Sequence, residues 1–216
     1  MGNSAKKCAE VIVSTDAYVS VWNRTEWVGL PDGSVVPAYL SCRRLLSNPT
    51  SKKAVKAMLV ETAREKFNGA TSVIGLATAG IVWGDAVADG LHLPFGYVRS
   101  EKKGYGLGSY VEGSPPADSE CVLVDDTLHT GDSILVAANV LRRERNIKVI
   151  GALTIASLYS GGTDSFSERS GHETIALTDY NAICEAAEDS GILRPGQAEQ
   201  MVAYYNSPTT YEFKRT

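Results

Sequence analysis

Short aliphatic runs alternate along the chain with segments whose apolar residues recur at intervals of three and four. The run Val122-Leu123-Val124 is apolar on both faces, the pattern of a buried parallel strand. From Ser133 onward, Ile134, Leu135, Ala138 and Leu141 share one face of a helix. The same reading predicts helices at 4–13 and 53–67, the second with Val55, Ala57, Met58, Leu59 and Ala63 on its apolar face. It predicts a strand at 71–77, a helix at 81–90 and a strand at 95–98. A strand at 121–125, a helix at 133–145, strands at 148–157 and 174–178, and helices at 180–190 and 195–205 complete the pattern. Residues 102–113 hold four glycines and no apolar period, and a loop of this length inside a domain usually carries function. Strands alternating with helices predict a parallel sheet covered on both faces. The first 50 residues fit that alternation poorly and are expected to form a separate cap over the sheet's carboxyl edge.

Chemistry concentrates where the strand ending near Asp125 hands over to the helix starting at Ser133. In open α/β sheets ligands bind at such junctions, and the free N–H groups of a helix start favour an anion. Asp125 and Asp126 would repel a bare phosphate but accept hydrogen bonds from a vicinal diol, while Thr130, Gly131 and Ser133 suit a phosphate beyond it. One acid here would be read as an ordinary helix cap. Two adjacent acids followed by Thr130-Gly131-Asp132-Ser133 depart from that pattern. No G-x-x-x-x-G-K-[ST] occurs, which excludes the common nucleotide-binding loop of that form.

The whole chain adds bounds rather than detail. At 216 residues it can bury one substantial core. A charged fraction of 21% and a net charge of −4 argue against nucleic acid or an anionic membrane as the main partner. Arg99, Lys102 and Lys103 form the one basic cluster in a glycine-rich stretch. The four cysteines form no CxxC pair and read as reduced thiols of a cytoplasmic protein; Cys121 reads as a small core hydrophobe. No apolar run approaches bilayer length.

The stretch Val124-Asp125-Asp126-Thr127-Leu128-His129-Thr130-Gly131-Asp132-Ser133 resembles the 5-phosphoribosyl-1-diphosphate (PRPP) signature of type I phosphoribosyltransferases. Further motifs resemble the orotate phosphoribosyltransferases. Gly75 to Ile81 is similar to their first phosphate-side loop. Pro94 to Gly106, closing with Val111-Glu112-Gly113, is similar to their catalytic loop. Pro37-Ala38-Tyr39, Arg43 and Leu46 to Pro49 resemble the amino-terminal hood, and Leu177 to Tyr180 the closing segment. The likeness spans roughly residues 20–208. It implies one phosphoribosyltransferase domain over residues 1–216, with an N-terminal helix and hood at about 1–50 and an α/β core with closing helices at about 53–205.

The resemblance also implies chemistry: displacement of pyrophosphate from PRPP by a nitrogen of a planar base, most simply orotate, through a transition state of oxocarbenium character. On this reading Thr127, Leu128, His129, Thr130, Gly131, Asp132 and Ser133 line the 5-phosphate loop. Asp125 and Asp126 hold the ribose hydroxyls, and Asp126 stabilises charge developing on the ring. Thr78 and Ala79 offer amides to the pyrophosphate, with Arg99, Lys102, Lys103 and Tyr105 around the leaving group. Lys103 is implied to be the main catalytic lysine and to reach a neighbouring subunit's site, hence a homodimer. Magnesium is the implied cofactor, held through PRPP, with Asp125 and Asp126 as candidate ligands. His129, Tyr39 and Tyr159 are candidates for contact with the base.

Several positions depart from the family pattern. Tyr105 stands where a histidine is usual, Val35 where the hood presents a lysine, and His129 where a small hydroxyl residue contacts the base. Asp132 places a carboxylate inside a phosphate loop. These departures keep two alternatives open: transfer to a different heterocycle, or a regulator that senses PRPP without catalysis.

Overall fold

The computed structural model describes residues 2–21, 28–29, 35–100, 109–158 and 162–206. In chain order the elements begin with α1 (Gly2–Val13), β1 (Tyr18–Ser20), β2 (Val28–Gly29), β3 (Val35–Val36) and β4 (Ala38–Leu40). A 3-10 turn at Cys42–Ser47 leads into α2 (Pro49–Lys66), β5 (Ser72–Leu76), α3 (Gly80–Leu91), β6 (Phe95–Val98) and β7 (Val111–Gly113). Then come β8 (Glu120–Leu128), α4 (Asp132–Arg145), β9 (Lys148–Ser157), α5 (Gly162–Ser170) and β10 (Glu173–Asp179). Two helices, α6 (Tyr180–Asp189) and α7 (Gln197–Asn206), follow. The residues fall into two compact units: Met1–Lys52 with Thr178–Thr216, and Lys53–Leu177.

In the first unit α1 packs on α6, and α6 on α7. Cys8, Ile12, Ile183, Cys184 and Met201 are fully buried there, and the Tyr18 hydroxyl donates to Met201 Sδ at 3.5 Å. Asp179 caps α6 by accepting from the Ala182 N–H at 2.9 Å. Short antiparallel pairs, β1 with β4 and β2 with β3, occupy a stretch where the sequence predicted no strands; two- and three-residue strands are too short to show a period.

The second unit is built on a six-stranded sheet in the order β10-β9-β8-β5-β6-β7. Strands β9, β8, β5 and β6 run parallel, and β7 closes the edge antiparallel to β6. Successive strand residues face opposite sides, and that alternation sorts the helices. Ile74 and Leu76 join Leu123, Ile134, Ala137, Leu141 and Phe166 in one buried cluster, which places α4 on their face. Gly75 faces α3 instead: a Cβ added at Gly84 would meet the Gly75 Cα at 3.1 Å. The parallel sheet with helices on both faces thus matches the expectation. Cys121 lies wholly within the α4-side cluster, and burial pushes its thiol up to about 12, so its part is packing.

Four elements differ from the sequence reading. β7, at Val111–Gly113, falls within the stretch read as loop, its pairing to β6 making a strand where no apolar period shows. β8 runs to Leu128 rather than stopping at 125, because Asp125, Thr127 and Leu128 continue the ladder onto Thr154, Ala156 and Ser157 of β9. α5 was not foreseen; Phe166 is its only buried residue, so it carries no helical stripe. α2 starts at Pro49 rather than 53, with the Asn48 side chain accepting from the Ser51 N–H at 3.0 Å and proline suited to a first helical position.

The closest approach to a neighbouring backbone among this unit's described glycines is at Gly80, where an added Cβ would run into the Val124 carbonyl oxygen. Backbone cannot yield as a side-chain end can, so Gly80→Ala is expected to cost about 1–3 kcal/mol of stability. Denaturant unfolding checks this; an unchanged midpoint would show that α3 can start further from β8.

Candidate active site

Three loops of the second unit emerge at the carboxyl ends of adjacent parallel strands. After β5 comes the turn Ala77-Thr78-Ala79, its Ala77–Thr78 peptide cis and its Thr78 side chain exposed. The Ala77 N–H donates to Val98 O at 2.8 Å, tying this turn to the end of β6. Gly80 then sets the start of α3 on the β8 backbone at Val124–Asp125. Thr78 and Ala79 thus directly precede the residue that packs on Val124 and Asp125.

The acids themselves lie within β8 rather than in a loop after it. This corrects the expected strand end at 125, and it gives the pair distinct surroundings because neighbours in a strand face opposite sides. Asp126 is 9% exposed, and the Thr127 hydroxyl donates to its Oδ1 at 3.3 Å. Asp125 is half-buried, and its Oδ1 accepts from the Asp126 N–H at 2.8 Å. A carboxylate this buried persists only with hydrogen-bond donors around it, and a hydroxylated ligand would add more.

Beyond Leu128 the loop His129-Thr130-Gly131 leads into α4. His129, Thr130, Asp132 and Ser133 are exposed, so the first turn of the helix opens to solvent with its N–H groups outward. Gly131 is the N-cap, at φ 82° and with no side-chain cap. An added Cβ there would run into the Phe166 ring, so glycine is needed both for its conformation and for its space. Arg169, also on α5, donates to the Thr130 carbonyl at 2.8 Å, and its guanidinium lies 5.3 Å from the Phe166 ring centroid. The loop is thus held from below by an aromatic ring and from the side by a cation.

Arg99 follows β6. Its N–H donates to Tyr110 O at 2.9 Å, and its guanidinium pairs with Glu112 of β7 at 3.2 Å. Ser109 and the Tyr110 N–H both donate to Glu144 of α4, at 2.7 and 3.2 Å. Arg99, Thr78, Ala79, Asp125, Asp126 and the 127–133 segment therefore belong to the ends of β6, β5 and β8, which are neighbours. Tyr39, 39% exposed, belongs to the other unit. Lys102, Lys103, Tyr105 and Tyr159 lie outside the described residues.

Residues 41–183 match the phosphoribosyl transferase domain family. The chain belongs to the phosphoribosyltransferase family. Orotate phosphoribosyltransferase of Bacillus mycoides (strain KBAB4) is 31% identical over 172 residues, 80% of this chain and 81% of that protein. The crystal structure of orotate phosphoribosyltransferase from Aeropyrum pernix superposes with a TM-score of 0.71 at 29% identity, over 86% of this chain and 98% of that one. UMP synthase of Leishmania donovani shares the fold, with a TM-score of 0.77 at 20% identity, over 95% of this chain; the match spans 43% of that longer chain.

Within this phosphoribosyltransferase, sequence reasoning missed Glu112, Glu144, Phe166 and Arg169 as neighbours of the site. Glu112 lay inside a quoted motif, yet nothing in spacing signals that it pairs with Arg99. The Arg99–Glu112 pair is partly exposed, 36% and 21% at the two side chains, so it is worth about 0–1 kcal/mol. A diphosphate can therefore take Arg99 from Glu112 at small cost. Glu112→Gln is expected to tighten pyrophosphate binding about two- to fivefold, read from product inhibition. Weaker binding would show instead that Glu112 holds Arg99 in place for the anion.

Proposed function

We propose that this chain transfers the 5-phosphoribosyl group of PRPP to orotate, giving orotidine 5′-monophosphate and pyrophosphate. The observation that carries the reading is the convergence of a diacid strand end, two anion-accepting helix starts and a paired arginine on neighbouring parallel strands. The curated relatives named orotate phosphoribosyltransferase support the choice of acceptor.

In this mechanism the first turn of α4, with Thr130 and Ser133, receives the 5-phosphate. Asp125 and Asp126 take the ribose hydroxyls, and the Asp126 carboxylate faces the positive charge that grows on the ring as the bond from C1 to the diphosphate oxygen breaks. The turn at Thr78–Ala79 offers backbone amides to the departing diphosphate, Arg99, with Lys102 and Lys103, supplies countercharge, and Tyr105 can donate a hydrogen bond. The acceptor nitrogen then closes on C1 from the opposite side and gives up its proton to solvent, with His129 and Tyr159 as candidates to orient the base.

Among the described residues no group of three His, Cys, Asp or Glu side chains forms a metal cage. A magnesium ion that keeps most of its shell from water and substrate phosphate needs few protein ligands. Asp125 or Asp126, on opposite sides of β8, would supply one carboxylate to it, and its chemistry there would be neutralisation of the leaving diphosphate. The homodimer with Lys103 shared between subunits, a cytoplasmic location and a place in pyrimidine nucleotide synthesis are parts of the same proposal, and the resemblance of the 94–113 segment supports the first of them. Among the described residues no helix is long and apolar enough to cross a membrane.

One observation favours a second reading. His129 is exposed at the first position beyond β8, where the family pattern has a small hydroxyl residue, and an imidazole there suits a differently substituted heterocycle. Incubation with PRPP, magnesium and a panel of heterocycles separates the two. Orotidine 5′-monophosphate with equimolar pyrophosphate is the expected product; turnover with another base alone would transfer the assignment to that acceptor. Absence of pyrophosphate release with every base, from folded protein that binds PRPP, would leave a sensor.

A further inference from the structure

Asp132 is the first residue of α4, directly after the glycine that caps it. Its Oδ2 accepts from the Thr130 hydroxyl at 2.9 Å, and its own N–H donates to the Thr130 Oγ1 at 3.4 Å. A hydroxyl carries one proton. Thr130's proton is therefore committed to the Asp132 carboxylate, and its oxygen receives the Asp132 N–H. Both groups are ones that an anion bound at this helix start would use. Gly131 has no side chain to cap the helix, and Asp132 is the only acid in the first turn, so its charge is the one that complements the positive end of α4.

We propose that Asp132 is a specificity-determining residue: an internal anion that occupies part of the 5-phosphate subsite and has to be displaced before a phosphorylated sugar can settle. This rests on the reading of residues 129–133 as the 5-phosphate loop and deepens it. The carboxylate is exposed, so displacement needs only a turn of the side chain. Gly131, pinned over Phe166, and the Thr130 carbonyl, held by Arg169, keep the backbone where it is. Once turned aside, the carboxylate still lies at the same helix end as the arriving phosphate, and like charges there oppose each other. The cost falls on the 5-phosphate and not on the diphosphate end, which belongs to the loop after β5. Affinity for the 5-phosphate is thereby restrained relative to a loop with a neutral residue at this position.

The test is calorimetric titration of the full chain with ribose 5-phosphate and, separately, with pyrophosphate. Asp132→Asn removes the charge and keeps an acceptor for Thr130; Asp132→Gly removes both. Ribose 5-phosphate is expected to bind about three- to fivefold more tightly to each variant, a gain of the size of one exposed charge's effect at a helix terminus. Pyrophosphate affinity is expected to stay within about twofold, because the change lies outside its loop. Unchanged or weaker ribose 5-phosphate binding by both variants, against a wild type that binds it, would overturn the proposal alone. An equal gain for pyrophosphate would also overturn it, since the effect would then be a general field. Failure of wild type and variants alike to bind ribose 5-phosphate would overturn the reading of the loop together with the proposal.

Discussion

Gly80 begins α3 against the Val124 carbonyl of β8, in a space that admits no Cβ. Because α3 follows β5, this contact brings the turn at Thr78–Ala79 beside the acids of the neighbouring strand. The Ala77 N–H bond to Val98 draws in the end of β6 on the other side. Three loops far apart in sequence then open at one edge of the sheet, which is where parallel strands direct ligands. A larger residue at position 80 would separate the turn from the diacid and divide the proposed site into two unrelated anion sites.

Around that edge the charges are arranged to be exchanged rather than stored. The Arg99–Glu112 pair is half exposed and energetically cheap. The Asp132 carboxylate sits on Thr130 by one exposed hydrogen bond. Both are internal contacts on groups that the proposed substrate would use. By contrast, Phe166 is fully buried and contributes on the order of 1.5–3 kcal/mol by leaving water. Arg169 adds a bond to the loop backbone itself. The scaffold of the site is therefore apolar and fixed, while its ligand-facing groups hold weak partners.

The sequence told part of this and not the rest, for physical reasons. Val122 to Val124 announced a buried strand because residues apolar on both faces suit little else, and Ile134 to Leu141 announced α4 by period. The order of strands and helices was therefore readable, and with it the parallel sheet. Asp126 to Leu128 read as loop because two acids and a threonine break an apolar run, yet pairing to β9 carries the strand through them. α5 was invisible because it is anchored by Phe166 alone. The partnership of Arg99 with Glu112, and of Arg169 with Thr130, joins residues whose proximity only the folded chain creates. Lys102, Lys103, Tyr105 and Tyr159, readable from motif resemblance, lie outside the described residues.

The central claim is that the diacid of β8 grips a phosphorylated pentose whose phosphate lies at the start of α4. The most direct measurement compares PRPP binding, with magnesium present, in the wild-type chain and in Asp126→Asn. A loss of about tenfold or more in PRPP affinity is expected, as for a buried charged hydrogen-bonding group made neutral, with thermal unfolding little changed. PRPP affinity that survives the substitution intact would contradict the assignment of the sugar to these acids.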